Sequence, residues 1–176
     1  MKRLAEIRDS DFGWTDGEES EYAETRSAAR AVMLDERGRV GLMWLANKGV
    51  YKLPGGGVDG DESIEESLHR EVIEEAGYEV EIEGEVGEIK EWRYRLKLNQ
   101  LSFCYLVKAQ KYVGNNLMDD EVEDGFELRW FDDIDAAIDA VKKVNLDDVG
   151  YAEMFFEARE LKFLEAAKEI QGERTS

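Results

Sequence analysis

The chain has 176 residues, 43% of them apolar and 10% aromatic, enough for one domain with a real core and too many for general disorder. Its formal net charge of −19 disfavours nucleic-acid backbones and anionic membranes as partners, and no apolar run reaches the roughly 18 residues of a membrane span. One cysteine, Cys104, excludes an intrachain disulfide and fits a reducing, cytoplasmic home.

The first residues, MKRLAEIRDSDFGW, start basic but lack the apolar segment of a secretory signal. Residues 1–25 are polar and acidic and read as an arm or an edge strand, with the main domain at 26–176. Strands are expected at 27–34 and 39–46, joined as a hairpin by the turn residues Asp-Glu-Arg-Gly. A short extended piece at 50–54 ends in Pro54, the sole proline, and Gly55 to Gly57 follow. The next segment, 63–76, reads as a helix. Ser63 and Glu66 form a capping-box pattern, and Gly77 stands where the chain leaves the helix. Strands are expected at 78–82, 87–98 and 101–109, an acidic loop at 115–125, and a strand at 126–131. Helices follow at 133–143 and 151–170. The last carries Phe155, Leu161 and Leu164 at helical spacing and is expected to cover the sheet. The order predicts an α/β domain, a mixed sheet with helices on its faces.

The 63–76 helix poses an electrostatic problem. Six glutamates fall between Glu62 and Glu75. At about 100° per residue, Ile64 and Leu68 mark an apolar stripe, and continuing it reaches Glu71 and Glu75, with Glu74 on the flank. Buried and unpaired carboxylates cost several kcal/mol each, and acids near a helix C-terminus oppose its dipole. Either this end emerges into solvent, or a divalent cation or an arginine neutralises it. Arg70 is spaced to pair with Glu74. The donors are all hard oxygens, and His69, the sole histidine, reads as an exposed bystander on the other face. Zinc is therefore disfavoured, and Mg²⁺ or Mn²⁺ is the expected ion. A calcium EF-hand starting at Asp59 fails, because Ile64 and Arg70 stand where glycine and glutamate are required. Gly55 to Gly57 either form a tight turn or let backbone approach a metal or phosphate closely.

Gly56, five residues, Glu62, seven residues, then REVIEEAGY at 70–78 resembles the Nudix box of Nudix hydrolases. The match holds at Gly56, Glu62, Arg70, Glu71, Val72, Glu74, Glu75 and Gly77. Tyr78 departs, standing where the family usually has an aliphatic residue. The resemblance implies an α/β/α sandwich with a mixed central sheet, the box forming a loop–helix–loop. It implies Mg²⁺- or Mn²⁺-dependent hydrolysis of a small-molecule nucleoside diphosphate linked to another moiety. Glu71 and Glu75 would be metal ligands, with Glu71 also orienting or deprotonating water. Glu74 would complete the metal shell or hold Arg70, a carbonyl of Gly55 or Gly56 would bind metal, and Glu62 would brace the loop. In this family the general base is either a box glutamate or a downstream acid. Here Glu121, Glu123, Asp124 and Glu127 are available, and Glu123 is the choice. Trp44, Tyr51, Trp92, Tyr94 and Trp130 either stack on a base or pack the core. The spacing of Tyr94 from the box resembles the diadenosine polyphosphate hydrolase subgroup, whereas ADP-ribose pyrophosphatases often have a proline there. A homodimer is compatible by analogy. The competing reading is a catalytically silent Nudix-fold nucleotide sensor or interaction module.

Overall fold

The computed structural model describes residues 1–14 and 24–175. The strands are β1 (Arg3–Arg8), β2 (Glu24–Leu34), β3 (Val40–Leu45), β4 (Val50–Lys52), β5 (Tyr78–Arg93), β6 (Leu98–Tyr112) and β7 (Phe126–Phe131). The helices are α1 (Ile64–Ala76), α2 (Asp119–Asp124), α3 (Ile134–Lys142) and α4 (Tyr151–Thr175). The strands form one sheet in the order β1-β5-β6-β2-β3-β4, and β7 also pairs with β3. β1 with β5 and β2 with β6 are parallel and the other pairings antiparallel, so the sheet is mixed.

Side chains alternate across each strand and divide the core in two. On one face Ala29, Ala31, Met33, Met43, Leu45 and Val107 pack beneath Leu68, Val72 and Ala76 of α1. On the other, Val32, Leu34, Leu42, Ile89 and Leu106 meet Ile134, Ile138 and Val141 of α3 and Phe155, Phe163 and Leu164 of α4. The result is the expected three-layer α/β/α arrangement.

Four elements differ from expectation. The segments 78–82 and 87–93 are one strand, β5, with register shifts at Ile82/Gly84 and Glu85/Gly87, while the rest of the strand expected to 98 is a 3₁₀ turn at Tyr94–Leu96 followed by the start of β6 at Leu98. These glycines act as bulges, not breaks. Gly87 has φ +155, and a Cβ there would clash with Leu4 of β1, so the bulge also admits the edge strand. Within the 1–25 stretch, Arg3–Arg8 is that edge strand, and residues 15–23 lie outside the described residues. The acidic loop contains the short helix α2. Finally, α4 buries charge as well as apolar side chains, because Arg159 and Glu160 are fully enclosed.

Candidate active site

The loop after β4 is stitched along β2. The Ala31 amide donates to the Pro54 carbonyl at 2.9 Å, Ala29 to Gly56 at 2.9 Å, and Val58 to the Ser27 carbonyl at 3.0 Å. Each glycine then makes room for something specific. A Cβ on Gly55, whose φ is +131, would overlap the Ala29 carbonyl. One on Gly56 would overlap the Glu71 carboxylate, and one on Gly57 would meet the Arg26 guanidinium. Gly55→Ala is thus expected to lower the melting temperature, since backbone must move. Gly56→Ala is expected to leave it within a few degrees while displacing Glu71 and cutting turnover. Thermal melts beside a rate assay check the contrast, and equal effects on both readouts would contradict it.

Helix α1 starts as its caps dictate. Ser63 Oγ accepts from the Glu66 amide, and Glu66 accepts from the Ser63 amide at 2.8 Å. Gly77 ends it at φ 78. Arg70 fastens the helix to the loop. Its Nε and Nη2 donate to the two oxygens of Glu62 at 2.8 and 2.9 Å, and Nη2 also reaches the Gly57 carbonyl at 3.1 Å. Its Nη1 donates to Glu71 at 2.8 Å and Glu74 at 3.0 Å. The Glu62 and Glu71 carboxylates raise the Arg70 guanidinium above its ordinary value, and Arg70 in turn lowers Glu62.

Glu75 is almost fully buried. Its Oε1 accepts from Lys52 Nζ at 2.5 Å and its Oε2 from the Gly55 amide at 2.9 Å. Burial pushes Glu75 up from the usual carboxylate range, and Lys52 and Gly55 offset only part of this. Burial likewise pushes Glu71 up, with Arg70 opposing.

The third acid comes from the acidic segment. The Asn116 amide donates to the Glu74 carbonyl at 2.8 Å and Val113 to the Gly77 carbonyl at 2.8 Å, so this segment docks on the end of α1. At its other end, Ala46 and Asn47 of the β3–β4 turn donate to the Gly125 and Asp124 carbonyls. Lys48 pairs with Asp124 at 2.6 Å. Helix α2 is thereby held with Glu121 facing Glu71 and Glu75. Carboxylate oxygens of Glu71, Glu75 and Glu121 lie within 4.8 Å of one another.

The structure therefore gathers Glu71 and Glu75 as the helical stripe suggested, and adds Glu121. Glu123 is not brought there. Two residues on a helix point about 200° apart, so with Glu121 inward Glu123 is exposed, and only its carbonyl is used, accepting from Asn47 Nδ2. Glu74 sits with Arg70 instead of joining the trio. His69 is half-buried, not exposed, and lies outside the carboxylate group. Lys52 and Arg26 were not foreseen.

The aromatic residues do not form one group. Trp44 and Tyr51 lie 4.6 Å apart and, with Phe131, Lys143 and Asn145, line a cavity of about 590 Å³. Since Lys52 points to Glu75, Tyr51 and this cavity lie across the sheet from the glutamates. Trp92 is on β5, three strand spacings from β3, under Lys90 and beside Glu6. Tyr94 leaves the sheet because β5 ends at Arg93, and it is 41% exposed on the turn. Trp130 packs edge-on against Tyr78.

A glycine loop joined to a helix that presents buried glutamates, inside an α/β/α sandwich, is the loop–helix–loop arrangement that the resemblance of residues 56–78 implies. The NUDIX domain model matches residues 24–154, and the chain belongs to the Nudix hydrolase family. It is 38% identical over 76 residues to an RNA pyrophosphohydrolase of Marinomonas sp. (strain MWYL1). That match covers 40% of this chain and 44% of the relative, so it spans less than half of that protein. Among solved structures, a NUDIX hydrolase from Nitrosomonas europaea superposes with TM-score 0.60 at 20% identity, covering 83% of this chain and 90% of that one. The E. coli ORF135 protein gives TM-score 0.59 at 18% identity, covering 86% and 94%. These two likenesses concern the fold.

Proposed function

We propose that this Nudix hydrolase is a Mg²⁺- or Mn²⁺-dependent pyrophosphohydrolase of a nucleoside diphosphate linked to another moiety. The observation that carries the reading is the convergence of the Glu71, Glu75 and Glu121 carboxylates. Three hard oxygen donors, two of them buried on a rigid helix, suit a hard divalent cation. Glu71, Glu75 and Glu121 would hold the ion. The Gly56 carbonyl already accepts from Ala29, so Gly55 is our choice of backbone ligand. When bound, the ion supplies positive charge to the diphosphate oxygens and acidifies the attacking water.

The chain's own residues do the remainder. Arg70 fixes the rotamers of Glu71 and Glu74 and ties the loop to α1, so it is a positioning residue. Glu121, on a segment docked at one end and clamped at the other, replaces Glu123 as our choice of general base, a role worth typically about 10²–10⁴ in rate.

An assay of phosphate release tests the reading, using dinucleoside polyphosphates, nucleotide sugars, ADP-ribose, oxidised nucleoside triphosphates and 5′-triphosphorylated RNA, with and without Mg²⁺. The last substrate enters because of the RNA pyrophosphohydrolase relative. Turnover that requires the ion is expected. Full rates in chelator would overturn the metal assignment, and binding of nucleotides without turnover of any would favour the sensor reading.

A further inference from the structure

Lys52 is a residue of the site that the box pattern does not contain. It closes β4, where pairing with Met43 fixes its backbone. Its side chain is only 10% exposed, with Nζ 2.5 Å from Glu75 Oε1 and 4.7 Å from the centre of the Phe126 ring. Enclosed this way, the ammonium cannot swing away into water without leaving the buried Glu75 carboxylate with the Gly55 amide in place of an ion-pair partner. Both Glu75 oxygens are therefore already engaged, one by Lys52 and one by the Gly55 amide.

We propose that Lys52 is the resident cation of the site: it neutralises Glu75 before any divalent ion arrives and limits the substrate-free site to one such ion. The inference rests on the metal-dependent reading above and refines it. The charges make the case. Arg70 is shared by Glu62, Glu71 and Glu74 and cancels one of their three charges. With Glu75 and Glu121 added, five carboxylates face two cations, Arg70 and Lys52, which leaves three negative charges; one divalent cation reduces these to one, and a second would overcompensate. A second divalent ion would then have to bring its own ligands, and the phosphate oxygens of a substrate are the natural ones. Lys52, fixed at the site, also remains as a cation beside those oxygens.

The test is calorimetric titration of Mn²⁺ into substrate-free protein, for the wild type, Lys52→Met, Lys52→Gln and Glu75→Gln. One ion is expected in the wild type. Both Lys52 variants are expected to bind Mn²⁺ at least about tenfold more tightly or to take a second ion, because a cation a few ångströms away has gone. Lys52→Gln retains a donor for Glu75 and serves if Lys52→Met fails to fold by circular dichroism. Unchanged stoichiometry and affinity in the folded Lys52 variants would overturn the proposal. Glu75→Gln separates the two levels: if it does not weaken Mn²⁺ binding, the metal reading itself fails, whatever Lys52 does.

Discussion

Glu71→Gln is expected to lower turnover at least about 10²-fold while leaving the fold and melting temperature in metal-free buffer close to wild type. The substitution keeps the shape of the side chain over Gly56 and retains an oxygen for the Arg70 hydrogen bond. What it removes is charge. A neutral amide is a weak ligand for a hard cation and a useless base, and a hundredfold loss corresponds to about 2.7 kcal/mol of transition-state stabilisation. Burial already raises the Glu71 carboxyl, so the neutral replacement carries less desolvation than the native charge. That is why stability should hold while activity falls. The measurement pairs steady-state phosphate release with thermal melts, and a Glu71→Gln variant near the wild-type rate would refute the role given to this residue. Glu121→Gln belongs in the same experiment: as base and ligand it should also lose rate, whereas Glu123→Gln should not.

The site was legible where local rules decide it. The Ser63–Glu66 cap, the Gly77 stop and the stripe through Glu71 and Glu75 are set within about four turns of chain, and periodicity reads them directly. Glu121 was not readable in that way. Five acids crowd residues 119–124, and a single six-residue helix has no period long enough to choose among them. The choice is made by tertiary hydrogen bonds, Asn116 to Glu74 on one side and Asn47 to Glu123 and Asp124 on the other. The strand β5 misled for a different reason. Charged residues are ordinarily taken as the outer face and tryptophan as the inner or ligand-facing one. In Glu91-Trp92-Arg93 the order is inverted: Glu91 and Arg93 point inward, and Trp92 looks to the edge strand. No pattern on β5 alone announces that, because the compensating charge, Arg159, lies on α4, 68 residues away.

That inverted strand leads to the second large effect. Glu91→Gln is expected to destabilise the folded protein by about 3–5 kcal/mol. Glu91 and Arg159 are both fully enclosed. Glu91 accepts from Arg159 at 3.1 Å, from Arg93 at 2.7 Å and from Gln100 at 2.9 Å. The Arg93 guanidinium in turn lies against Phe155 and Phe156 of α4. Neutralising the carboxylate leaves three buried guanidiniums, Arg30, Arg93 and Arg159, with Glu160, paired to Arg159, as the enclosed acid beside them. Burial alone would push the Glu91 carboxyl up, but Arg159 and Arg93 outweigh it and hold the group below its ordinary value near 4.5. The sign follows. A lowered carboxyl contributes stability at pH above its unfolded value, and this contribution is lost as pH falls below 4.5 toward the folded value. Denaturant unfolding of wild type and variant at pH 7 and at steps below 4.5 should therefore show the gap narrowing with acid. The double variant Glu91→Leu with Arg159→Met should cost less than the sum of its singles, because removing both charges leaves neither stranded. A Glu91→Gln protein within about 1 kcal/mol of wild type at pH 7 would mean that α4 is held by its apolar contacts alone, and that the enclosed ions contribute nothing to fastening it over the sheet.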